Sequence, residues 1–138
     1  MVAELPHWPP GTVAILATGA GAPHAIPVST IVRAGPRTIL LALAQGRESL
    51  ARLREEPRCA LAIIATDLAI TVTGHAEAVN DLGRVVAVRV DGDEIQDHAR
   101  PEFAIHDGVD WEWTDADAQR ADDDVRTALE ALVSPPRS

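Results

Sequence analysis

Thr38-Ile39-Leu40-Leu41-Ala42-Leu43-Ala44-Gln45-Gly46-Arg47-Glu48-Ser49-Leu50-Ala51-Arg52-Leu53 is the stretch whose reading decides the fold. Its first seven residues are an apolar run with the length of a strand. Past Gly46, Leu50 and Leu53 stand among charges at the spacing of a two-turn amphipathic helix. Pro57 ends that helix, because the residue before a proline is pushed out of the helical region. A buried strand therefore runs into a helix N-terminus that carries an arginine and a hydroxyl. Free backbone N–H groups and the positive end of the helix dipole make such a place an anion site. In a small β-rich domain, the expected anion is the phosphate of a cofactor.

Working outward, the flanking segments read as strands. Thr12 to Thr18 is nearly continuous apolar sequence, rich in β-branched residues and short for a helix. Gly19-Ala20-Gly21-Ala22-Pro23 breaks it. His24 to Val32 alternates with Ile26, Val28, Thr30 and Val32 in register, and Ala34-Gly35-Pro36-Arg37 is a turn. Cys59 to Ala65 is a fourth buried strand. Leu68 to Val79 reads as a long strand and Val85 to Val90 as another, with Asn80-Asp81-Leu82 between them as a possible helix start. Asp107-Gly108 between Phe103–His106 and Val109–Trp113 predicts a hairpin, with Val109, Trp111 and Trp113 on one face. Asp115 can cap a final helix to about Val133, striped by Val125, Leu129, Leu132 and Val133.

Composition narrows the function classes. The 138 residues suit one domain with a real core. Net charge is −9, and it is uneven: residues 1–64 hold six arginines against four acids, and residues 65–138 hold six against seventeen. An acidic chain disfavours nucleic acid and anionic lipid as partners. No apolar run reaches the ~20 residues of a membrane span, and no basic segment precedes an apolar one at the N-terminus, so a cytoplasmic location is expected. The chain has no lysine, and its Ala, Arg and Asp content suggests a bacterial, high-GC source. Lone Cys59, on a buried strand, reads as a small core residue.

Other chemistries fail on context. The five histidines show no metal-ligand spacing. Asp93-Glu94 and Asp97-His98 read as exposed strand-edge residues. Gly19-Ala20-Gly21 begins like a dinucleotide fingerprint, but a strand follows where a helix is needed. No serine stands in a nucleophile-elbow setting. Trp111 and Trp113 read first as core or interface.

Three segments taken together carry a family likeness. Gly21-Ala22-Pro23-His24-Ala25-Ile26-Pro27-Val28-Ser29, the strand Ile39–Ala44, and Arg47 through Leu61 resemble the pyridoxamine 5′-phosphate oxidase-like, flavin-binding split-barrel superfamily. The likeness covers the first half of the chain well and the second by element order alone. It implies a mainly β fold: a six-stranded split β-barrel of Greek-key type with flanking helices. It also implies a homodimer with FMN or the related deazaflavin at the dimer interface. An apolar face of Val109, Trp111 and Trp113 fits a dimer. Carried onto this chain, the ring meets Pro27, Val28, Ser29 and Thr30, with Ala42, Leu43 and Ala44 alongside. Arg47, Glu48, Ser49 and Leu50 form the phosphate end, with Arg52 nearby, and Trp111 and Trp113 complete the candidate set. Ser49 stands where many members carry a cation, and Arg52 where many carry asparagine. The activity implied is a flavin-dependent oxidoreductase acting on a small molecule by hydride transfer, with FMN placed ahead of the deazaflavin. A non-catalytic flavin- or haem-binding dimer is the alternative.

Overall fold

The computed structural model describes residues 2–133. They form a seven-stranded sheet with two helices: β1 (Ala14–Thr18), β2 (His24–Val28), β3 (Val32–Gly35), β4 (Thr38–Ala44), α1 (Glu48–Glu55), β5 (Arg58–Ala65), β6 (Leu68–Asp81), β7 (Val85–Asp97) and α2 (Ala116–Ala131). The sheet order is β2-β1-β5-β6-β7-β4-β3, and every pairing is antiparallel. β5, β6 and β7 form a meander, and β4 lies beside β7 but reaches β5 only through α1, a Greek-key arrangement.

The outermost strands of that order are consecutive in the chain. β2 and β3 are joined only by Ser29-Thr30-Ile31, and four extended residue steps span at most about 14 Å. The two edges must therefore stand close together, and the sheet is rolled into a barrel left open at one seam. Thr30 anchors the link to β4: Ala42 N–H donates to its hydroxyl at 3.2 Å, and the hydroxyl donates to the Ala42 carbonyl at 3.4 Å.

Alternation decides which side chains fill the barrel. Leu16, Ile39, Leu41, Leu43, Leu61 and Ile63 point inward and are fully buried or nearly so. Leu40, one step from Leu41, is also buried because β4 is covered on both faces. With Ala87 it meets Leu129 of α2 outside the barrel, and Val125, Leu132 and Val133 pack around them. Leu50 and Leu53 of α1 belong to the interior cluster. β6 and β7 bend at a bulge between Thr73 and Gly74. A Cβ at Gly74 would stand 2.0 Å from the Asp91 carbonyl oxygen, so only glycine allows that approach.

The structure corrects the sequence reading in four places. The expected second strand, His24–Val32, breaks at Ser29–Ile31, which makes seven strands where six were expected. Asn80-Asp81-Leu82 starts no helix; β6 runs on to Asp81. β7 extends to Asp97, well past Val90. The Asp107-Gly108 hairpin does not form: residues 98–115 are an irregular arm. Its backbone bonds to another part of the barrel instead, with Asp67 N–H donating to the Ile105 carbonyl at 2.9 Å and the Thr66 hydroxyl to the His106 carbonyl at 3.0 Å. Gly108 lies so close to Ile64 that a Cβ would come within 2.2 Å of its carbonyl oxygen. Tertiary pairing with the β5–β6 turn thus displaces the local turn preference.

Candidate functional site

The elements that matter here lie along β2. At its start, the N-terminus of α1 packs against His24. Arg47 is the N-cap, extended at φ −67°, ψ 135°, and no side chain caps the helix. The amides of Glu48 and Ser49 therefore remain available to a ligand, while those of Leu50 and Ala51 bond the Arg47 carbonyl at 3.2 and 3.3 Å. Arg47 is exposed and, among the described residues, makes no side-chain hydrogen bond or ion pair. Arg52 is engaged elsewhere. Its guanidinium donates to the carbonyls of Ala20 and Ala22, the latter at 2.8 Å, and reaches Glu48 at 3.4 Å. It ties down the Gly19–Ala22 turn. Glu48 also meets His24 Nε2 at 3.1 Å, so two basic partners face its carboxylate. Ser49 and Leu50 are both 1% exposed, and the Ser49 hydroxyl has no partner among the described residues. Arg47 is thus the cation left for an anion at this end.

At the far end of β2, roughly 13 Å away along the strand, three distant segments meet. Val13, Pro27, Val28, Ser29, Trp111 and Trp113 line a cleft of about 200 Å³. The two indoles pack edge to face, centroids 5.3 Å apart at 79°. Trp111 Nε1 donates to the Gly11 carbonyl at 2.9 Å, and Trp113 Nε1 to Asp122 at 3.4 Å. No wall of this cleft carries an ionisable side chain. Apolar and aromatic walls at one end of the strand, and a cation with free amides at the other, fit a flat ring joined to a phosphate.

The structure brings Pro27, Val28 and Ser29 together with Trp111 and Trp113. Val28 and Leu43 turn their side chains into the core, so they offer only backbone at the surface. Thr30 is bonded to Ala42 of β4. Ala44 is exposed at the end of β4, next to Arg47 in the chain, and Ala42 is half-buried; neither lines the tryptophan cleft. The sequence reading did not include Val13. Its only signal was its position before β1, which says nothing of a partner a hundred residues on.

Two other features are settled by their surroundings. Cys59 is 8% exposed, and burial, aided by the Asp93 carboxylate, pushes its thiol up to about 11. It stays a protonated core residue at neutral pH. Asp93 pairs with His75 Nδ1 at 2.7 Å on the surface, both more than half exposed. Among the described residues there is no cluster suited to a metal and no helix long and apolar enough to cross a membrane.

No protein-family model matches the sequence, and no curated protein matches it by sequence. Solved structures match its fold. A nitrilotriacetate monooxygenase component B homolog from Mycobacterium thermoresistibile shares 13% identity over 77% of this chain and 87% of its own, with TM-score 0.58. A proposed pyridoxamine 5′-phosphate oxidase of Listeria innocua shares 13% identity over 64% of this chain and 90% of its own, with TM-score 0.55. The flavin reductase PheA2 shares 13% over 62% and 78%, with TM-score 0.53. The fold is that of the pyridoxamine 5′-phosphate oxidase-like split barrels.

Proposed function

We propose that this chain is a flavin-dependent oxidoreductase that binds FMN as a homodimer and transfers hydride to or from a small substrate. The observation that carries the reading is the pairing of two complementary ends on β2, Arg47 with the open α1 N-terminus and the tryptophan cleft. The split-barrel neighbours support it, since one is a flavin reductase by name. When bound, the flavin supplies the redox chemistry. The chain's part is to grip the phosphate at Arg47 and the α1 amides, to lay the ring on Pro27 and the indoles, and to keep water from one face. The cleft walls present no acid or base, which suits direct hydride transfer.

Size and charge support the dimer. About 200 Å³ is below the ~300–1,000 Å³ of a pocket that encloses a small molecule, so one chain covers only part of the ring. A chain of net charge −9 repels its own copy except at an uncharged surface. The outer face of β2, β1 and β5 comes near to such a surface, with Arg58 at one end its only charged side chain among the described residues. Pro27, Ile15 and Ala62 form one cross-strand row, and Ala25, Ala17 and Ala60 the next. Sedimentation equilibrium at micromolar protein should give twice the 14.7 kDa chain mass; a single species at the chain mass sinks the dimer.

The diversion of Arg52 to Ala20 and Ala22 favours a second reading, the deazaflavin, because it leaves one cation for the phosphate. Parallel fluorescence titrations decide. Saturable FMN binding, tighter than riboflavin, is expected. Deazaflavin binding without FMN binding replaces the cofactor, and binding of neither overturns the flavin assignment. Bound flavin that no reductant bleaches would point to a binding protein without turnover.

A further inference from the structure

Resting on that reading of the cleft, we propose that Arg126 and Asp122 of α2 are its positioning residues. They hold both walls in place from outside the barrel. α2 carries two ion pairs of the same kind in different surroundings. Arg120–Asp117 has side chains 72% and 85% exposed, and such a pair contributes little. Arg126–Asp122, 2.9 Å apart, has side chains only 12% and 11% exposed. Removing two charges from water is costly, and a pair of apolar residues would often serve stability as well. What apolar residues cannot do is hydrogen-bond to two separate walls.

The pair does this. Arg126 Nη2 donates to the Ser29 carbonyl at 3.3 Å while holding Asp122, and Nη1 meets Asp123 at 3.4 Å. Asp122 in turn accepts from Trp113 Nε1. Ser29 belongs to the three-residue link at the barrel seam, and Trp113 to the irregular arm. Neither has a ladder of its own to fix it. Ser29 and Trp113 are 84 positions apart in the chain, and the guanidinium and carboxylate connect them. The planar fork of arginine suits this double contact, and lysine cannot reproduce it.

The test uses the full chain with Arg126→Gln, Asp122→Asn, the double variant and Arg126→Lys, each first shown folded by its thermal transition. In flavin-free protein, the indole N–H resonance of Trp113, assigned with Trp113→Phe, should shift in Arg126→Gln. The Thr30 amide, which shares a peptide with the Ser29 carbonyl, should shift with it. With flavin, riboflavin affinity should fall roughly tenfold, the loss of one charge-assisted hydrogen bond. The ratio of FMN to riboflavin affinity, set at Arg47, should stay constant. The double variant should be no worse than either single one, and Arg126→Lys should restore little. A folded Arg126→Gln protein with Trp113 and Thr30 unmoved overturns the proposal. So does an unchanged riboflavin affinity, or additive losses in the double variant. If the wild type binds no flavin, the functional reading fails, and the two resonances still decide whether the pair holds the walls.

Discussion

The two ends of β2 are built in opposite ways. At His24, nearly every group that defines the site comes from one short run, Ala44 to Arg52, with the Gly19–Ala22 turn beside it. At Ser29, the cleft is assembled from Val13, the seam link, and an arm a hundred residues further on, fastened by α2. A locally encoded site rests on helix-terminus electrostatics, whereas a remotely encoded one depends on the contacts that bring its parts together. Changes at the first end should alter binding with the fold intact. Changes at the second should alter stability and binding together.

The largest expected effect tests the second end. Asp122→Ala leaves Arg126 without its main partner and should cost about 3 kcal/mol, the low end for breaking a buried pair because Asp123 stays at 3.4 Å, read as a lower urea midpoint. Asp117→Ala, which breaks the exposed pair on the same helix, should change stability by less than about 0.5 kcal/mol. Equal losses in the two variants would erase the distinction between the pairs. Next comes the first end. Arg47→Ala should weaken FMN by roughly 1.5–3 kcal/mol, the worth of a hydrogen bond to a charged group, with riboflavin affinity unchanged. Equal wild-type affinity for FMN and riboflavin would mean that this end makes no phosphate contact.

A third effect, about 1 kcal/mol, contrasts the helix starts. Asp115 caps α2 by accepting from Ala118 N–H at 3.2 Å, so Asp115→Ala should lose about 0.5–2 kcal/mol. At α1 the cap position is held by Arg47, which makes no cap bond. Arg47→Ser should therefore stabilise the flavin-free protein while weakening FMN, and a melting temperature that falls would argue against an open helix start.

The smallest effect appears only at high pH. Cys59 lies in the same cross-strand row as Thr18 and His24. Its thiol is raised from 9.0 to about 11 in the folded chain. The folded state then holds its proton more tightly than the unfolded one. Stability is unaffected below pH 9 and falls as pH rises from 9 through 11. Cys59→Ala should remove that decline, and rapid alkylation of the wild type at pH 8 would contradict a buried thiol.

This contrast also explains what the sequence disclosed. Thr38–Leu53 announced its strand, its helix and the open helix start, because periodicity, Gly46 and Pro57 act within a few residues. The mainly β class and the barrel likeness followed from the same half of the chain. The break at Ser29–Ile31 was hidden, since the period-two pattern runs through it, and the Thr30 bridge to Ala42 reaches a strand twelve residues on. Asp107-Gly108 signalled a turn that bonding to Thr66 and Asp67 overrides. Arg52 entered only through the family likeness, which places it near the phosphate end. Only the coordinates reveal the Ala20 and Ala22 carbonyls that claim it. Arg126 and Asp122 stand at the i, i+4 spacing of many surface pairs, and burial is not written in spacing.

The short link at the seam also orders events in time. β5, β6 and β7 are neighbours in the chain and can pair through short loop closures, the early and fast steps of folding. β4 must wait for α1, and β1 must find β5 across more than forty residues. Ser29–Ile31 can settle only when both edges are in place. The tryptophan cleft is therefore expected to form last, and its amides to open first in native-state hydrogen exchange, ahead of the β5–β7 meander. A cofactor seated there would then act as the final fastener of the barrel and slow its loss.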